Sequence, residues 1–591
     1  MSTRARRPGA GNDSTISLIV ASAVLAGAGA IWAGAAIACA VVGLPAPAFR
    51  IDAILASVTR PTDLEVAWGQ AMPSTGLVWL FTGGIALIAA VGFWMMWRLL
   101  GTGRSAAVHA PLGTATRAQI RCFASAQVLR RRARHLRPSL ATAKPSDVGH
   151  KLGRARGIPV WTSCEDSIVL LGPTRSGKGL HVVIDMILDA PGAVVTTSTR
   201  PDNLTVTLNA RSRVGPVAVF DPQKLAAGID AGLRWSPVRG CENPQTAMIR
   251  AQGLASDTGL HTGSVGVENA SYWQGQTEAV LRGLLHAAAL DERTVKDLYR
   301  WSLDPVKAAE AVRIMHNSEV AATGWADSLD AIIAMDERTR SNVWSGVRQA
   351  LAGLADPRVL ATVTPTPGEQ FDPEAFIAEQ GTLYLLGTST GAGAAASLLN
   401  ALIEDLLEAA RRMAARNPRA RLDPPLTVIL DEIGNLAPLP SLPVLMAEGG
   451  GSGITTTAVL QSLAQARGRW GEHDAATIWD AATVKLILGG ASNPKDLQDL
   501  SALIGERDDE TTSTSRGHDG SRSTSTSLRR VPIMDTGQLR TLPFGTGVLM
   551  LRSAPPIILT MSAWTTRSDA GQLRADQVFN ERSLSAVARR G

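Results

Sequence analysis

At 591 residues and 45% hydrophobic content, the chain is long enough for two or three cored domains, which excludes a disordered or fibrous class. Four cysteines (Cys39, Cys122, Cys164, Cys241) in no CxxC or Cys/His spacing exclude a disulfide scaffold and a zinc module. The net charge of +6 is localised: Arg98 to Val160 holds thirteen Lys/Arg against a lone acid, Asp147, so the remainder is net acidic and the overall balance is no argument for nucleic-acid binding.

In chain order, residues 1–13 form a basic N-terminus with Arg4, Arg6 and Arg7, and residues 14–100 read as two membrane spans joined by a short loop. Ser14 to Phe49 and Val66 to Trp97 carry no charged residue, and each exceeds the roughly 20 residues needed to cross a bilayer. The first run is too long for the apolar part of a cleaved signal peptide, the rival reading. Small residues four apart, Ala23/Gly27 and Ala30/Gly34, suit close helix packing, and Trp32, Trp79, Trp94 and Trp97 suit interfacial or lipid-facing positions. The loop between the spans is net acidic, whereas arginines precede the first span and follow the second. The positive-inside bias therefore expects a multi-pass protein of the inner (cytoplasmic) membrane with both termini in the cytoplasm. Residues 101–162 form a basic juxtamembrane segment whose arginine cluster (Arg130-Arg131-Arg132) reads as a topology and lipid-headgroup signal rather than a DNA site.

From residue 163 short apolar strands alternate with helices, the pattern of an α/β sheet. The predicted strands are Ile168–Leu171, Ala193–Thr197, Val217–Phe220, Thr382–Leu386, Thr427–Leu430, Thr455–Leu460, Val484–Leu488 and Val548–Leu551. Residues 240–366 offer only helical patterns, so an all-α domain is expected as an insert in a nucleotide-binding domain of 163–239 and 367–575. Residues 509–527, rich in Ser, Thr and charge, read as a mobile loop, and 576–591 as a C-terminal tail.

Gly172-Pro173-Thr174-Arg175-Ser176-Gly177-Lys178-Gly179 lies between a strand and a helix. There, backbone N–H groups and the helix N-terminus cradle phosphates and the lysine reaches the β- and γ-phosphates. Gly179 stands where a Ser or Thr usually touches Mg²⁺, which leaves the metal to phosphate oxygens, water and Asp431, with Thr174 or Ser176 as further donors. Leu426 to Leu430 is an apolar strand ending in Asp431-Glu432. Asp431 is expected to hold Mg²⁺ and Glu432 to polarise the attacking water. Gln461 ends the next strand, where a polar residue can sense the γ-phosphate. The two halves together point to an ATP-binding ATPase.

With these motifs assembled, the chain resembles the TraG/TraD family of type IV secretion coupling proteins. Leu112-Gly113-Thr114-Ala115 is similar to the family's membrane-proximal motif, and Val219-Phe220-Asp221-Pro222 and Trp235-Ser236-Pro237 to the lead-in to its all-α domain. Gly172 to Gly179 resembles its P-loop, Asp431-Glu432-Ile433-Gly434-Asn435-Leu436 its Walker B region, and Gln461-Ser462-Leu463-Ala464-Gln465 its glutamine motif. The resemblance implies two transmembrane helices followed by a RecA-like P-loop ATPase domain with an inserted all-α domain, assembled as a homo-hexamer in the inner membrane. It further implies that a relaxase or relaxosome with single-stranded DNA, or a secreted protein, is received and passed to type IV secretion channel components. Lys178 would bind phosphates, Asp431 the Mg²⁺, Glu432 would activate water, and Gln461 would couple hydrolysis to movement.

Two segments depart from the family pattern. Ser198-Thr199-Arg200-Pro201-Asp202 replaces a common Asp-Pro-Lys-Gly-Glu, and Glu448 to Gly453 lacks an arginine that relatives can carry, leaving Arg467, Arg469 and Arg348 as candidates to act on a neighbour's nucleotide. Two other functions fit parts of the pattern: an FtsK-like membrane-anchored double-stranded DNA translocase, and a nucleotide-binding substrate receptor without motor activity.

Overall fold

The computed structural model describes residues 12–101, 110–229, 231–256, 270–366, 368–388, 393–436, 438–516 and 522–588. It divides into two compact units, Met1–His109 and Ala110–Gly591. Arg4, Arg6, Arg7 and Arg104 lie outside the described residues, as do the side chains of Ala23, Trp94 and Trp97.

The first unit pairs two long helices, Asn12–Val42 and Thr75–Gly101, joined through the short helices Ile51–Thr59 and Leu64–Trp68. Ala30, Gly34, Ala35 and Ala38 turn inward, and a Cβ at Gly34 would lie 2.7 Å from the Thr82 backbone nitrogen, so the small-residue pair Ala30/Gly34 does set the approach. Gly27 meets nothing within 4 Å, so the earlier pair takes no part through that residue. The indoles of Trp32 and Trp79 donate to the loop carbonyls of Pro47 and Pro61, both at 3.0 Å. Among the described residues one helix is long and apolar enough to cross a bilayer, over Thr75–Gly92, and little of that window is buried, with Leu87, Ile88 and Val91 exposed. In the first helix the described apolar stretch, Gly27–Val42, is shorter than a span requires, so two spans are not established.

The second unit is a mixed α/β body. Its strands are β1 (Gly149–Ala155), β2 (Ile158–Ser163), β3 (Ile168–Leu171), β4 (Val194–Ser198), β5 (Val217–Phe220), β6 (Thr382–Leu386), β7 (Leu426–Leu430), β8 (Ile454–Leu460), β9 (Val484–Leu488), β10 (Glu506–Arg516), β11 (Arg522–Pro532), β12 (Thr546–Leu551) and β13 (Ile557–Thr560). Eleven form one sheet in the order β2-β1-β13-β12-β9-β3-β8-β7-β4-β6-β5. From β9 to β5 all neighbours are parallel, and β12, β13, β1 and β2 add antiparallel strands at one side. The parallel strands are covered on both faces, which is why they read as runs of apolar and β-branched residues without polar alternation, Thr included in β4 and β8.

Three expectations change here. The basic segment is not a separate juxtamembrane stretch: helices Arg117–Ala124 and Ala126–Leu136 and strands β1 and β2 belong to the second unit and extend its sheet. Arg132 pairs with Glu165, and Arg137 Nε donates to Asp423 at 2.9 Å, so part of the cluster is internal, while Arg130, Arg131 and Arg134 remain exposed. The stretch 509–527 expected as a loop belongs to a two-stranded ribbon, β10 with β11, because cross-strand register sets Asp508 opposite Arg530 and Asp509 opposite Arg529 and alternates Thr and Ser along the pair. Residues 517–521, between the two strands in the sequence, lie outside the described residues. The stretch expected as a C-terminal tail belongs to helix Ala570–Ala588, which packs on helix Asp202–Ser212 through Leu573 and the Asn580 amide, 2.9 Å from the Thr205 carbonyl.

Between β5 and β6 the described chain is helical, from Pro244–Ala255 through Pro357–Thr362 to Pro373–Ala378. Trp235 anchors this region to the helix Gly393–Arg416: its indole donates to Asp405 at 2.9 Å, and Arg250, 1% exposed, pairs with the same carboxylate at 2.6 Å. Removing one partner would strand a buried charge, a loss of about 3–5 kcal/mol, so the joint is rigid.

Candidate nucleotide site

The four strands β3, β8, β7 and β4 are adjacent and parallel, so their carboxyl ends open on one crevice, the place where open α/β sheets bind ligands. The glycine loop leaves β3 there. Its first amide, Gly172 N–H, donates to the Leu460 carbonyl at 3.0 Å, which ties the loop to the end of β8 beside Gln461. Arg175 and Gly177 take left-handed backbone angles, φ 63° and 86°. A Cβ at Gly177 would come within 2.8 Å of the His181 ring, so glycine is required there on two counts. Residues Gly179–Val183 and Ile184–Leu188 then continue as one helical run.

Lys178 is 8% exposed, and its Nζ donates to the carbonyls of Gly172 at 2.8 Å and Pro173 at 3.0 Å. Burial lowers its pKa, and the charges of Asp431 and Glu432 work against that shift, so the lysine and both carboxylates share one electrostatic environment. Ser176 Oγ donates to the Pro173 carbonyl at 2.8 Å, shaping the loop from within.

Asp431 follows β7 and is 8% exposed. Burial, reinforced by neighbouring Glu432, pushes its carboxyl up to about 6. One oxygen accepts from Asn203 Nδ2 at 3.1 Å, whereas Oδ1 is buried with no hydrogen-bond partner among the described residues. A buried, unpartnered carboxylate oxygen facing a phosphate loop fits a hard divalent cation. Glu432 adopts φ 52°, a left-handed angle unusual for a non-glycine residue, and caps the short helix Ile433–Leu436 with its carbonyl. Its side chain accepts from Thr199 Oγ1 at 2.8 Å.

The structure therefore brings Lys178, Asp431, Glu432 and Gln461 to adjacent strand ends. The Gln461 N–H donates to Gln465 Oε1 at 3.1 Å, and Gln465 Nε2 donates to Asn435 Oδ1 at 2.6 Å, which links the end of β8 to the helix after Glu432. Of the three arginine candidates, Arg467 pairs with buried Asp496 at 2.5 Å within the chain, and Arg348 is exposed on helix Glu337–Ala350.

Thr199, Asn203, Asn435, Gln465 and Phe544 had no individual role assigned from the sequence, although Thr199, Asn435 and Gln465 fall within segments singled out there. The signal for the first two was their place just after an apolar strand, but only the strand order sets β4 beside β7. Phe544, 66% exposed, meets the His181 ring edge-on at 5.0 Å. With Thr174, Arg175, Gly490 and Arg540 it lines an open pocket of about 440 Å³ beside the glycine loop.

Residues 425–544 match the family model described as the TraM recognition site of TraD and TraG. The fold is similar to that of the bacterial conjugative coupling protein TrwBdeltaN70 in its unbound monoclinic form. The TM-score is 0.52 at 16% identity, over 74% of this chain and 92% of that one. It is similar as well to plasmid coupling protein TrwB in complex with ADP and Mg²⁺, with TM-score 0.51 at 16% identity over 74% and 93%. A third likeness is to TrwB with a non-hydrolysable ATP analogue, with TM-score 0.50 at 16% identity over the same shares. At that identity these likenesses are of fold. A comparison with curated proteins finds no match. The family match over 425–544 and the shared fold together bear out the resemblance to the TraG/TraD coupling proteins.

Proposed function

We propose that this TraG/TraD-like chain is a membrane-anchored ATPase that couples ATP hydrolysis to moving a substrate into a type IV secretion channel. The observation that carries the reading is the meeting of Lys178, Asp431 and Glu432 in one electrostatic environment at the carboxyl ends of adjacent parallel strands.

The ligands are ATP and Mg²⁺, in keeping with the ADP and Mg²⁺ held by TrwB. Lys178 and the backbone N–H groups of the later part of the loop, up to Gly179, bind the phosphates, and Asp431 Oδ1 would hold the cation. When bound, Mg²⁺ supplies charge neutralisation at the phosphates. Glu432, steadied by Thr199, accepts the proton of the attacking water. Gln461 senses the γ-phosphate, and the Gln461–Gln465–Asn435 hydrogen bonds carry that change to the helix behind Glu432. The pocket under Phe544 suits a nucleobase by size and by its aromatic wall.

Anchoring rests on the helix Thr75–Gly101, whose exposed Leu87, Ile88 and Val91 suit lipid, together with the first helix as a second span. The assembly is a homo-hexamer in the inner membrane with the ATPase body in the cytoplasm. The partners are a relaxosome carrying relaxase-bound single-stranded DNA, or a secreted protein. The segment 425–544, of the type described for TraM recognition, is where a relaxosome protein docks.

The test is ATP turnover by the full chain in lipid nanodiscs, with and without DNA, beside Lys178→Ala. Turnover stimulated by single strands and lost in the variant is the expected result. No turnover under any condition leaves the receptor without motor activity, and stimulation by duplex alone favours the FtsK-like translocase.

A further inference from the structure

Gly179 leaves the phosphate loop without the hydroxyl that ordinarily meets the metal, and Ser198 to Asp202 replaces the family's charged loop after the second predicted strand. The structure sets Asn203, the residue that follows the second departure, against the first. Asn203, in the first turn of helix Asp202–Ser212, is 5% exposed, and Leu573 and Asn580 of the last helix hold that helix from outside. Its Nδ2 donates to Asp431 Oδ2 at 3.1 Å. Its Oδ1 lies 3.4 Å from where a Cβ on Gly179 would stand. Outside the glycine's own helix and chain neighbours, it is the one described atom within 4 Å of that position. Nor does the backbone at 179 need glycine, because its φ falls outside the left-handed region. What fills the side of the loop where a Ser or Thr side chain would start is thus an amide oxygen from the helix that follows β4.

We propose that Asn203 supplies, through Oδ1, the hard oxygen toward Mg²⁺ that Gly179 lacks, while its Nδ2 turns the second oxygen of Asp431 away so that Oδ1 of that carboxylate faces the ion. This rests on the Mg²⁺–nucleotide reading given above. A neutral amide carbonyl is a competent ligand for a hard cation. It also adds no charge beside the Asp431 and Glu432 carboxylates, which a third acid would. A glycine in the loop and an asparagine after β4 thereby form a pair that exchanges one oxygen donor for another.

The experiment is Mn²⁺ titration by electron paramagnetic resonance of the full chain in detergent with saturating ADP, alongside ADP affinity in EDTA. Asn203→Ala is expected to weaken Mn²⁺ binding tenfold or more and to leave metal-free ADP affinity within twofold of the parent. Asn203→Asp, which keeps an oxygen but loses the donor, is expected to retain Mn²⁺ binding, and Gly179→Ser is expected to restore most of the loss when added to Asn203→Ala. A merely structural role predicts instead that Asn203→Asp fails as badly as Asn203→Ala, and that outcome overturns the proposal. So does an Asn203→Ala protein whose Mn²⁺ affinity is unchanged, or whose ADP affinity falls equally with and without metal. Should Asn203→Ala not fold, the retained binding of Asn203→Asp and its loss in Asn203→Leu decide the matter. A parent chain that binds no Mn²⁺ with ADP defeats the nucleotide reading itself, which is a different result from a parent that binds and a variant that matches it.

Discussion

Replacing Asp431 by Asn should stabilise the metal-free protein while abolishing turnover. Burial and the neighbouring Glu432 raise the Asp431 carboxyl from 3.8 to about 6, against the smaller opposing pulls of Asn203 and Lys178. A tenfold change in proton affinity is worth about 1.4 kcal/mol, so keeping this carboxylate ionised in the fold costs on the order of 3 kcal/mol. The sign follows from linkage. The folded-state value lies above the unfolded one, so the penalty is absent below pH 3.8, grows between 3.8 and about 6, and is fully present above 6. Asn keeps an acceptor for Asn203 Nδ2 and carries no charge. In chelator, thermal unfolding followed by tryptophan fluorescence should show Asp431→Asn melting a few degrees above the parent at pH 7.5. The difference should shrink as pH approaches 4. A variant that melts at or below the parent at pH 7.5 would refute the claim that burial dominates this carboxylate, and with it the picture of a site strained until a cation arrives.

Thr199→Val removes the hydroxyl that donates to Glu432 at 2.8 Å and little else. A hydrogen bond to a charged group contributes about 1.5–3 kcal/mol, so single-turnover hydrolysis should slow roughly 10- to 100-fold while ADP affinity stays put and Thr199→Ser recovers the rate. Equal losses of rate and affinity would show Thr199 to be merely structural. In the first unit, Gly34→Leu should pry the two long helices apart, since even a Cβ there meets the Thr82 backbone at 2.7 Å. Cys39, fully buried in the same cluster, reports on this: maleimide labelling should rise sharply in a background where exposed Cys122 is serine. Unchanged protection of Cys39 would mean the helices do not depend on that close approach.

Much of the α/β body was legible because strands buried on both faces are built mainly from apolar and β-branched residues, Val, Ile, Leu and Thr. Ile168–Leu171, Val217–Phe220, Thr382–Leu386 and Val484–Leu488 are read from composition to the residue. The strands β1 and β2 escaped because Gly149–Ala155 carries Lys151 and Arg154 outward at the rim of the sheet, where only one face is covered. The ribbon β10–β11 escaped because Ser, Thr and charged residues form strands only when a partner of complementary register exists, and composition does not show the partner.

What the sequence determined by itself was the chemistry of the two ends of the site: a strand-turn-helix loop with Lys178, and an apolar strand delivering Asp431-Glu432. Those are local patterns, set by neighbours a few residues away. What only the tertiary structure decided was which strands lie side by side. β4 adjoins β7 across more than two hundred residues of chain, which brings Thr199 to Glu432 and Asn203 to Asp431, and the order β3-β8-β7-β4 brings Asn203 to Gly179 as well. A glycine that looks like a missing ligand in the loop is, in space, the place where an asparagine oxygen arrives. Hydrogen bonds and metal ligation act over about 3 Å, a distance on which separation along the chain has no bearing.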